Sequence, residues 1–273
     1  MDNQFEAAAD AVVAGDIDTL SQLIREALEL IRHRSSRPHH ATLLHYVAAN
    51  GVEDERQRSP ENAVEIATLL LRSGAEVDAL AEMYGGQQTT MSMLVSSIHP
   101  ANAGVQDALV ETLLDFGAAI EGAGSGGPPL MDALACGHLS AAETLARRGA
   151  KTDSLAAAAG LGRFAEAARL LPNSDSVQRH RALALAAQHG HVEIVRLLLD
   201  AGEDPNRYNP PGFHGHSTPL HQAVCYGHED VVRLLVERPA RLDLKDTVYQ
   251  GTPLDWAKHL GRTNLEEFLH GQV

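Results

Sequence analysis

The segment STPLHQAVCYGHEDVVRLLVERPARLD (217–243) decides the fold, and GTPLDWAKHLGRTNLEEFL (251–269) repeats its pattern. Thr218 and Thr252 begin the two matching motifs and are 34 residues apart. The upstream stretch RALALAAQHGHVEIVRLLLDAGEDPN (181–206) has the same shape, with an apolar residue seven positions before a glycine. A period of this length is typical of a chain built from stacked supersecondary repeats.

Each repeat is predicted to form two short helices joined by a turn. A threonine at the start of the first helix caps free backbone amides, and a proline at the next position suits the first helical turn. Gly74, Gly117, Gly149 and Gly202 follow apolar-periodic runs such as VEIVRLLLDAG. A residue in the left-handed conformation is needed at the end of such a helix. One pair this small cannot bury its apolar face alone, so the pairs must stack.

The motifs TPLHQAVCYGHEDVVRLL and TPLDWAKHLGR resemble ankyrin repeats, and the resemblance covers essentially the whole chain. The degenerate repeats are similar to those of bacterial members of the family. The resemblance implies an all-α ankyrin-repeat solenoid of about eight helix–turn–helix repeats with short hairpin loops between them. We expect one domain over 1–273, with an N-terminal capping repeat at 1–41, two repeats at 42–127, repeats four to seven at 128–251 and a C-terminal cap at 252–273.

Two insertions interrupt the regular spacing, at 52–62 and 100–105. Both are predicted at the turn between the two helices of a repeat, in neighbouring repeats. Loops of unusual length carry function more often than short ones. The basic stretch RHRSSRPHH (32–40) precedes them and is interpreted as a solvated loop or as a site for an acidic ligand.

The resemblance implies that a protein partner contacts two parts of each repeat. These are the loop tips and the two residues before the glycine that closes the first helix. Toward the C-terminus these positions become larger and more polar or aromatic, as in hot-spot surfaces. On this basis the predicted partner-binding residues of the concave face are Asn50, Tyr84, Ser97, Gln188, His189, Tyr208, Phe213, Tyr226, Tyr249, Trp256 and His259.

The charge of the chain indicates the chemistry of that partner. The formal net charge is −14, and residues 1–153 hold 22 Asp and Glu against 10 Lys and Arg. A surface this negative repels phosphate, which argues against nucleic acid. The same charge favours a basic protein partner, and an immunity-type inhibitor of a basic toxin would fit.

A small-molecule enzyme or binder is the alternative hypothesis. The two inserted repeats supply side chains for acid–base chemistry, namely His45, Tyr46, Arg56, Tyr84 and His99. The other interpretation of the same residues is a polar network that holds the insertion in place. A closed polar pocket around His45, Tyr84 and His99 would favour the enzyme, and a filled core would favour the scaffold.

Metal and cofactor signals are weak. His214 and His216 form an H-x-H pair on a predicted loop, but no third ligand stands at a set spacing. GAGSGG (122–127) matches a dinucleotide fingerprint, yet a helix precedes it and two prolines follow, so we expect a loop and no cofactor. The family resemblance implies structural roles, as hydrogen-bond donors to backbone between repeats, for His221, His138, His191 and His228.

Location and assembly follow from simpler features. The first residues lack the basic and apolar regions of a signal peptide. The longest stretch without a formal charge, 83–106, contains adjacent glycines and a proline and is not expected to span a membrane. Two cysteines do not make a disulfide framework. We therefore expect a cytoplasmic monomer without membrane contact.

Overall fold

The computed structural model describes residues 2–272, and its regular structure is almost entirely helical. The chain forms two compact units: unit 1 ends at Lys151 and unit 2 begins at Thr152. The helices of unit 1 are α1 (Asp2–Ala14), α2 (Ile17–Glu26), α3 (Leu43–Val47), α4 (Ala63–Arg72), α5 (Thr90–Val95), α6 (Ile98–Asn102), α7 (Gln106–Asp115), α8 (Pro129–Ala135) and α9 (Leu139–Arg147). The helices of unit 2 are α10 (Leu155–Gly160), α11 (Phe164–Leu170), α12 (Ser176–Gln188), α13 (Val192–Asp200), α14 (Pro219–Tyr226), α15 (Glu229–Glu237), α16 (Pro253–His259) and α17 (Thr263–His270).

Consecutive helices pack as pairs, and the pairs stack through their first helices. In unit 1, α1 packs on α2, α3 on α4, α5 on α7 and α8 on α9, while α3 lies against both α1 and α5. In unit 2, α12 lies in the same way between α10 and α14, and α14 contacts α16. The predicted all-α fold of stacked helix–turn–helix repeats is confirmed.

The glycines that end the second helices adopt the predicted left-handed conformation. Gly74 has a φ of 98° and Gly202 a φ of 88°, values that strain a residue with a side chain. The glycine between the helices of a pair has a second role. A Cβ added at Gly190 would lie 2.6 Å from Nδ1 of His228, so the absent side chain admits the ring of the next pair.

A short hairpin interrupts the helical pattern in the loop between α4 and α5. Its strands, β1 (Ala81–Met83) and β2 (Gly86–Gln88), are antiparallel, with Ala81 opposite Gln88. Tyr84 and Gly85 connect them with φ values of 52° and 77°. Two successive positive φ angles are the requirement of a type I′ turn, which matches the twist of the strands.

The glycine-rich segment 122–127 is a loop docked on this hairpin. Ser125 donates its backbone N–H to the carbonyl of Gln87 over 3.1 Å and accepts the Gln87 N–H on its Oγ over 2.7 Å. A Cβ at Gly124 would lie 2.6 Å from the Gln87 carbonyl oxygen. The glycines therefore permit close approach of two loops, and no strand runs into this segment as a dinucleotide fingerprint requires.

The two predicted insertions have different structures. Residues 52–62 lie between α3 and α4 and contain a 3-10 turn at Asp54–Arg56. Residues 100–105 overlap α6, an extra helix placed between α5 and α7. Within residues 2–272, every helix is too short or too polar to cross a membrane.

Candidate functional site

A cavity of about 460 Å³ opens in unit 2 beside α14, α16 and the loop that precedes α16. We call it the C-terminal cavity. Its lining residues are Cys225, Tyr249, Gly251, Asp255, Trp256, His259 and Leu260. The sequence predicted Tyr249, Trp256 and His259 as binding residues; it did not single out Asp255.

Asp246 organises the loop that forms one wall of the cavity. Its side chain is completely buried. Oδ1 accepts the backbone N–H groups of Val248 and Tyr249 over 2.9 and 2.6 Å, and Oδ2 accepts that of Gly251 over 2.9 Å. Oδ2 also accepts the indole Nε1–H of Trp256 over 3.0 Å. One carboxylate thus fixes both the loop and the tryptophan of the cavity.

This carboxylate remains ionised in the folded protein. Burial by itself would raise the pKa of Asp246, but the hydrogen bonds from the backbone of Tyr249, the indole of Trp256 and the backbone of Gly251 and Val248 outweigh it. Together they lower the pKa to about 2. Hydrogen bonds to the charged form of a carboxyl group favour that form. A permanent negative charge therefore lies behind the cavity wall.

The ring of Trp256 is held from several sides. The His221 ring packs edge-on against it at a centroid distance of 5.1 Å, and the His216 ring lies 6.0 Å away. His216 also contacts Tyr249, at 6.4 Å. The carbonyl of His216 accepts the backbone N–H of Thr247 over 2.8 Å, which joins two neighbouring loops. These contacts fix the aromatic wall before any ligand arrives.

Three of the four histidines for which we predicted structural roles, His221, His191 and His228, make the expected bonds to backbone carbonyls. Nδ1 of His221 accepts the backbone N–H of Thr218, so the ring proton is on Nε2. The Nε2–H of His221 donates to the Gly251 carbonyl over 3.1 Å. His191 and His228 donate to carbonyls of the preceding pair, at 2.9 and 2.8 Å. In the last pair the same position is an arginine, Arg262, which donates to the Cys225 carbonyl over 2.7 Å.

The predicted partner-binding residues of unit 2 divide by exposure. Tyr249 is 76% exposed and Tyr226 is 36% exposed. Tyr208, Phe213, His189 and His259 are also at least partly accessible. Gln188 is only 1% exposed, which corrects its assignment to the partner surface, and its backbone carbonyl accepts from His228 of the next pair.

In unit 1 the predicted partner-binding residues form local contacts. The hydroxyl of Tyr84 donates to Oδ1 of Asn50 over 2.6 Å, although 74% of the Tyr84 surface is exposed. Asn50 in turn donates to the Met93 carbonyl over 3.2 Å. Ser97 is buried and donates to the Ala49 carbonyl over 3.2 Å. Ser97 is therefore a packing residue, and its assignment to the partner surface is also corrected.

Two of the proposed acid–base residues, His45 and Tyr46, are completely buried. His45 accepts from Thr42 on Nδ1 and donates from Nε2 to the Gln88 carbonyl over 3.4 Å, the same arrangement as His221. Burial is the main reason that the pKa of His45 falls to about 4, and burial raises the pKa of Tyr46 to about 12. Neither group is positioned to exchange protons with a ligand at neutral pH.

Arg56 is buried and paired within an ionic network that holds the first insertion. Its guanidinium contacts Glu6 and Asp10 of α1, each over 2.7 Å, and its Cζ lies 5.7 Å from the centroid of the Tyr46 ring. Arg37, from the basic stretch at 32–40, also binds Glu6, over 2.9 Å, and Glu53, over 2.5 Å. Arg37 of this stretch is therefore paired with acidic side chains of its own chain.

The five acid–base candidates do not form one constellation. His45, Tyr46 and Arg56 are buried and partnered, and Tyr84 is at an exposed hairpin tip. His99 is half-buried in α6, and among residues 2–272 no hydrogen bond or ion pair joins it to the other four. The filled polar core is the outcome expected of a scaffold.

The weak metal candidates, His214 and His216, have ring centroids 6.0 Å apart in an edge-on arrangement. His216 is engaged by Trp256 and Tyr249. Over the described part of the chain, no group of three or more His, Cys, Asp or Glu side chains is arranged to hold a metal ion. Among residues 2–272 no third side chain joins the pair, whereas zinc sites in proteins typically have three or four protein ligands.

Comparison with known proteins places these features in a family. The model for ankyrin repeats in many copies matches residues 183–236. Cyclin-dependent kinase 4 inhibitor B of Rattus norvegicus is 32% identical over 117 residues, which cover 32% of this chain and 89% of that protein. Ankyrin repeat and SAM domain-containing protein 6 of Mus musculus is 34% identical over 101 residues, 37% of this chain and 11% of that protein.

A third relative is the NF-kappa-B inhibitor cactus of Drosophila yakuba, which is 32% identical over 90 residues. The matched segment is 33% of this chain and 18% of the fly protein. The chain thus spans less than a fifth of the mouse and fly relatives but nearly all of the rat inhibitor.

Proposed function

Because the chain belongs to the ankyrin repeat family, we propose that it is a protein-binding scaffold whose partner surface is centred on the C-terminal cavity. Two of its relatives are named as inhibitors, one of cyclin-dependent kinase 4 and one of NF-kappa-B. Those names favour a role in binding another protein over a role in catalysis. The buried and partnered state of His45, Tyr46 and Arg56 supports the same choice.

The observation that carries this proposal is the fixed aromatic wall of the cavity. Binding pockets typically have volumes of roughly 300–1,000 Å³, so about 460 Å³ can receive one or two side chains of a partner. Trp256 and Tyr249 are residue types that dominate binding hot spots. Because Asp246 and the neighbouring histidines already hold Trp256, little conformational entropy remains to be lost on binding.

We propose that the partner is basic and that the chain acts as an inhibitor, as an immunity protein does toward a toxin. The net charge of −14 would attract such a partner and raise the rate of encounter. We also propose a monomer in a reducing, cytoplasmic compartment, since Cys136 and Cys225 are both free thiols.

Affinity capture with matched variants tests the surface. The immobilised wild type would be compared with a Tyr249→Ala/His259→Ala double variant and with Val248→Ala, each checked for folding by circular dichroism. Val248 is 60% exposed and adjacent to Tyr249 but does not line the cavity. We expect one protein to be retained in stoichiometric amount by the wild type and Val248→Ala and lost from the double variant.

The opposite pattern would refute the proposed surface. A partner that the double variant retains in full, but that a Tyr84→Ala variant loses, would move the interface to unit 1. If the partner elutes as the salt concentration is raised while the protein stays folded, this result would support charge complementarity. The reason is that salt at 0.1 M screens interactions between exposed charges beyond about 10 Å.

A further inference from the structure

The C-terminal cavity is lined by one carboxylate, and His259 is its only side chain that can carry a positive charge. Among its lining residues Asp255 is the only Asp or Glu, and no Lys or Arg lines it. The Asp255 carboxylate accepts the backbone N–H and the hydroxyl of Thr252 over 2.9 and 2.7 Å, which caps α16. Lys258 and Lys245 are near enough to act on it electrostatically, but within residues 2–272 Asp255 forms no ion pair closer than 4 Å.

The aromatic wall adds to this negative potential. Trp256 donates its indole N–H to the ionised, buried carboxylate of Asp246. That hydrogen bond places a full negative charge at the edge of the indole, which strengthens the attraction of its ring face for a cation. Tyr249, on the same cavity, supplies a second ring.

On the premise of the proposed function, we propose that the C-terminal cavity binds an arginine side chain of the protein partner, with the guanidinium beside Trp256 and Tyr249 and directed to Asp255. The arginine fits better than a lysine for three reasons. Its planar guanidinium stacks on rings, it is more weakly hydrated, and its fork can bind a carboxylate with two N–H groups. Its methylene stem would lie along the apolar part of the lining, Cys225 and Leu260.

The single tryptophan of the chain makes this proposal directly measurable. Trp256 is the only indole in the sequence, so tryptophan fluorescence and the indole NMR signal both report on the cavity. The probes are N-acetyl-arginine amide and its neutral isostere N-acetyl-citrulline amide, titrated at constant ionic strength. We expect the arginine probe to perturb the Trp256 signal saturably, with an affinity about tenfold or more above that of the citrulline probe.

Asp255→Asn is the decisive variant because asparagine keeps a cap oxygen for Thr252 and removes only the charge. We expect it to bind the two probes about equally. Asp230→Asn makes the same charge change at an exposed position in the first turn of α15 and should leave the preference unchanged.

Equal affinities of the wild type for both probes, or an arginine preference that survives in Asp255→Asn, would overturn the proposal. A stronger response to N-acetyl-leucine amide would overturn it too and assign the cavity to an apolar side chain. These results are distinguishable from failure of the proposed function. If a partner is lost with Tyr249→Ala/His259→Ala while the probes show no preference, only the arginine inference fails. If the preference holds while capture is unaffected, the cavity accepts a guanidinium but is not the surface that binds the captured partner, and the proposed surface fails.

Discussion

Tyr84 in unit 1 and Tyr249 in unit 2 both lie on loops between helix pairs and are almost equally exposed, at 74% and 76%. The Tyr84 hydroxyl is bonded to Asn50, so that the loop tip is tied to the turn after α3. The Tyr249 loop is held through its backbone, by Asp246. The loop anchored by its side chain therefore closes over its repeat, whereas the loop anchored by its backbone leaves the tyrosine side chain for a ligand.

The insertions extend this comparison. In unit 1 the extra residues at 52–62 bring Arg56 against the acidic side chains of α1, which satisfies the charges within the unit. In unit 2 the turn from α14 to α15 is short, and Asp255 keeps a carboxylate without an ion pair at the cavity, within the described residues.

Asp246→Ala should have the largest effect. It leaves three backbone N–H groups and the Trp256 indole without their acceptor, and hydrogen bonds to charged groups contribute most among such bonds. We expect a loss of about 3 kcal/mol or more in the free energy of unfolding. Denaturant unfolding monitored by the fluorescence of Trp256 measures this loss. Asp243→Ala, at an exposed position of the same loop, is the control; equal midpoints for the two variants would show that Asp246 does not hold the loop.

Arg56→Ala should destabilise unit 1 by about 2–3 kcal/mol, because Glu6 and Glu53 lose a partner in a partly buried place. The value is below that of a fully buried pair because solvent reaches Glu6 and Asp10. Circular dichroism in denaturant measures the shift. Arg58→Ala, two residues along and exposed, should change stability by less than about 0.5 kcal/mol; a similar loss for both would assign the effect to the loop and not to the ion pairs.

Stability should decrease as the pH falls from about 6.5 to about 4 because of His45. Its folded pKa of about 4 is below the unfolded value near 6.5, so the unfolded state binds more protons in this window. Its contribution is complete above pH 6.5 and is lost as the pH falls through 4. We expect the free energy of unfolding to decrease by about 1–2 kcal/mol when the pH is lowered from about 7 to about 5. His221, whose pKa is also lowered by burial, acts with the same sign.

The share of His45 is isolated by comparing the wild type with His45→Gln at each pH. Glutamine keeps an acceptor and a donor but does not titrate. If the difference in stability between the two proteins were the same at both pH values, protonation of His45 would not contribute.

The smallest effect separates the two tyrosines. Tyr84→Phe removes the hydrogen bond to Asn50 and should cost about 0.5–1 kcal/mol. Tyr249→Phe should stay within about 0.5 kcal/mol, because its anchoring bond is made by the backbone. Chemical unfolding monitored by circular dichroism measures both. A larger loss for Tyr249→Phe than for Tyr84→Phe would reverse the comparison on which the proposed surface depends.

Much of the fold could be predicted from the sequence because its determinants are local. The 34-residue spacing of Thr218 and Thr252, and the glycine after each apolar run, follow from capping and from the φ angles a helix end requires. Hairpin loops were expected between repeats, but the strand pairing at Ala81–Gln88 was not predicted, since strands of three residues are too short to be recognised from an alternating pattern.

The candidate site was predicted only in part. Tyr249, Trp256 and His259 were found from their place in the repeat, whereas Gln188 was assigned to the surface although its side chain is buried. Asp255 was missed because the sequence shows it only as a helix cap. Asp246 gave no signal either, since a lone aspartate before a turn does not reveal that it faces the indole ten residues later.

The repeat spacing is enough to predict the helix pairs and their order, and the family resemblance adds the backbone roles of His221, His191 and His228. Whether a polar side chain is satisfied or left for a ligand depends on the tertiary structure. Arg56 meets Glu6 and Asp10 across 50 and 46 residues of chain, and Tyr84 meets Asn50 across 34. Such contacts depend on how loops of different length fold back on the stack, which no local pattern encodes.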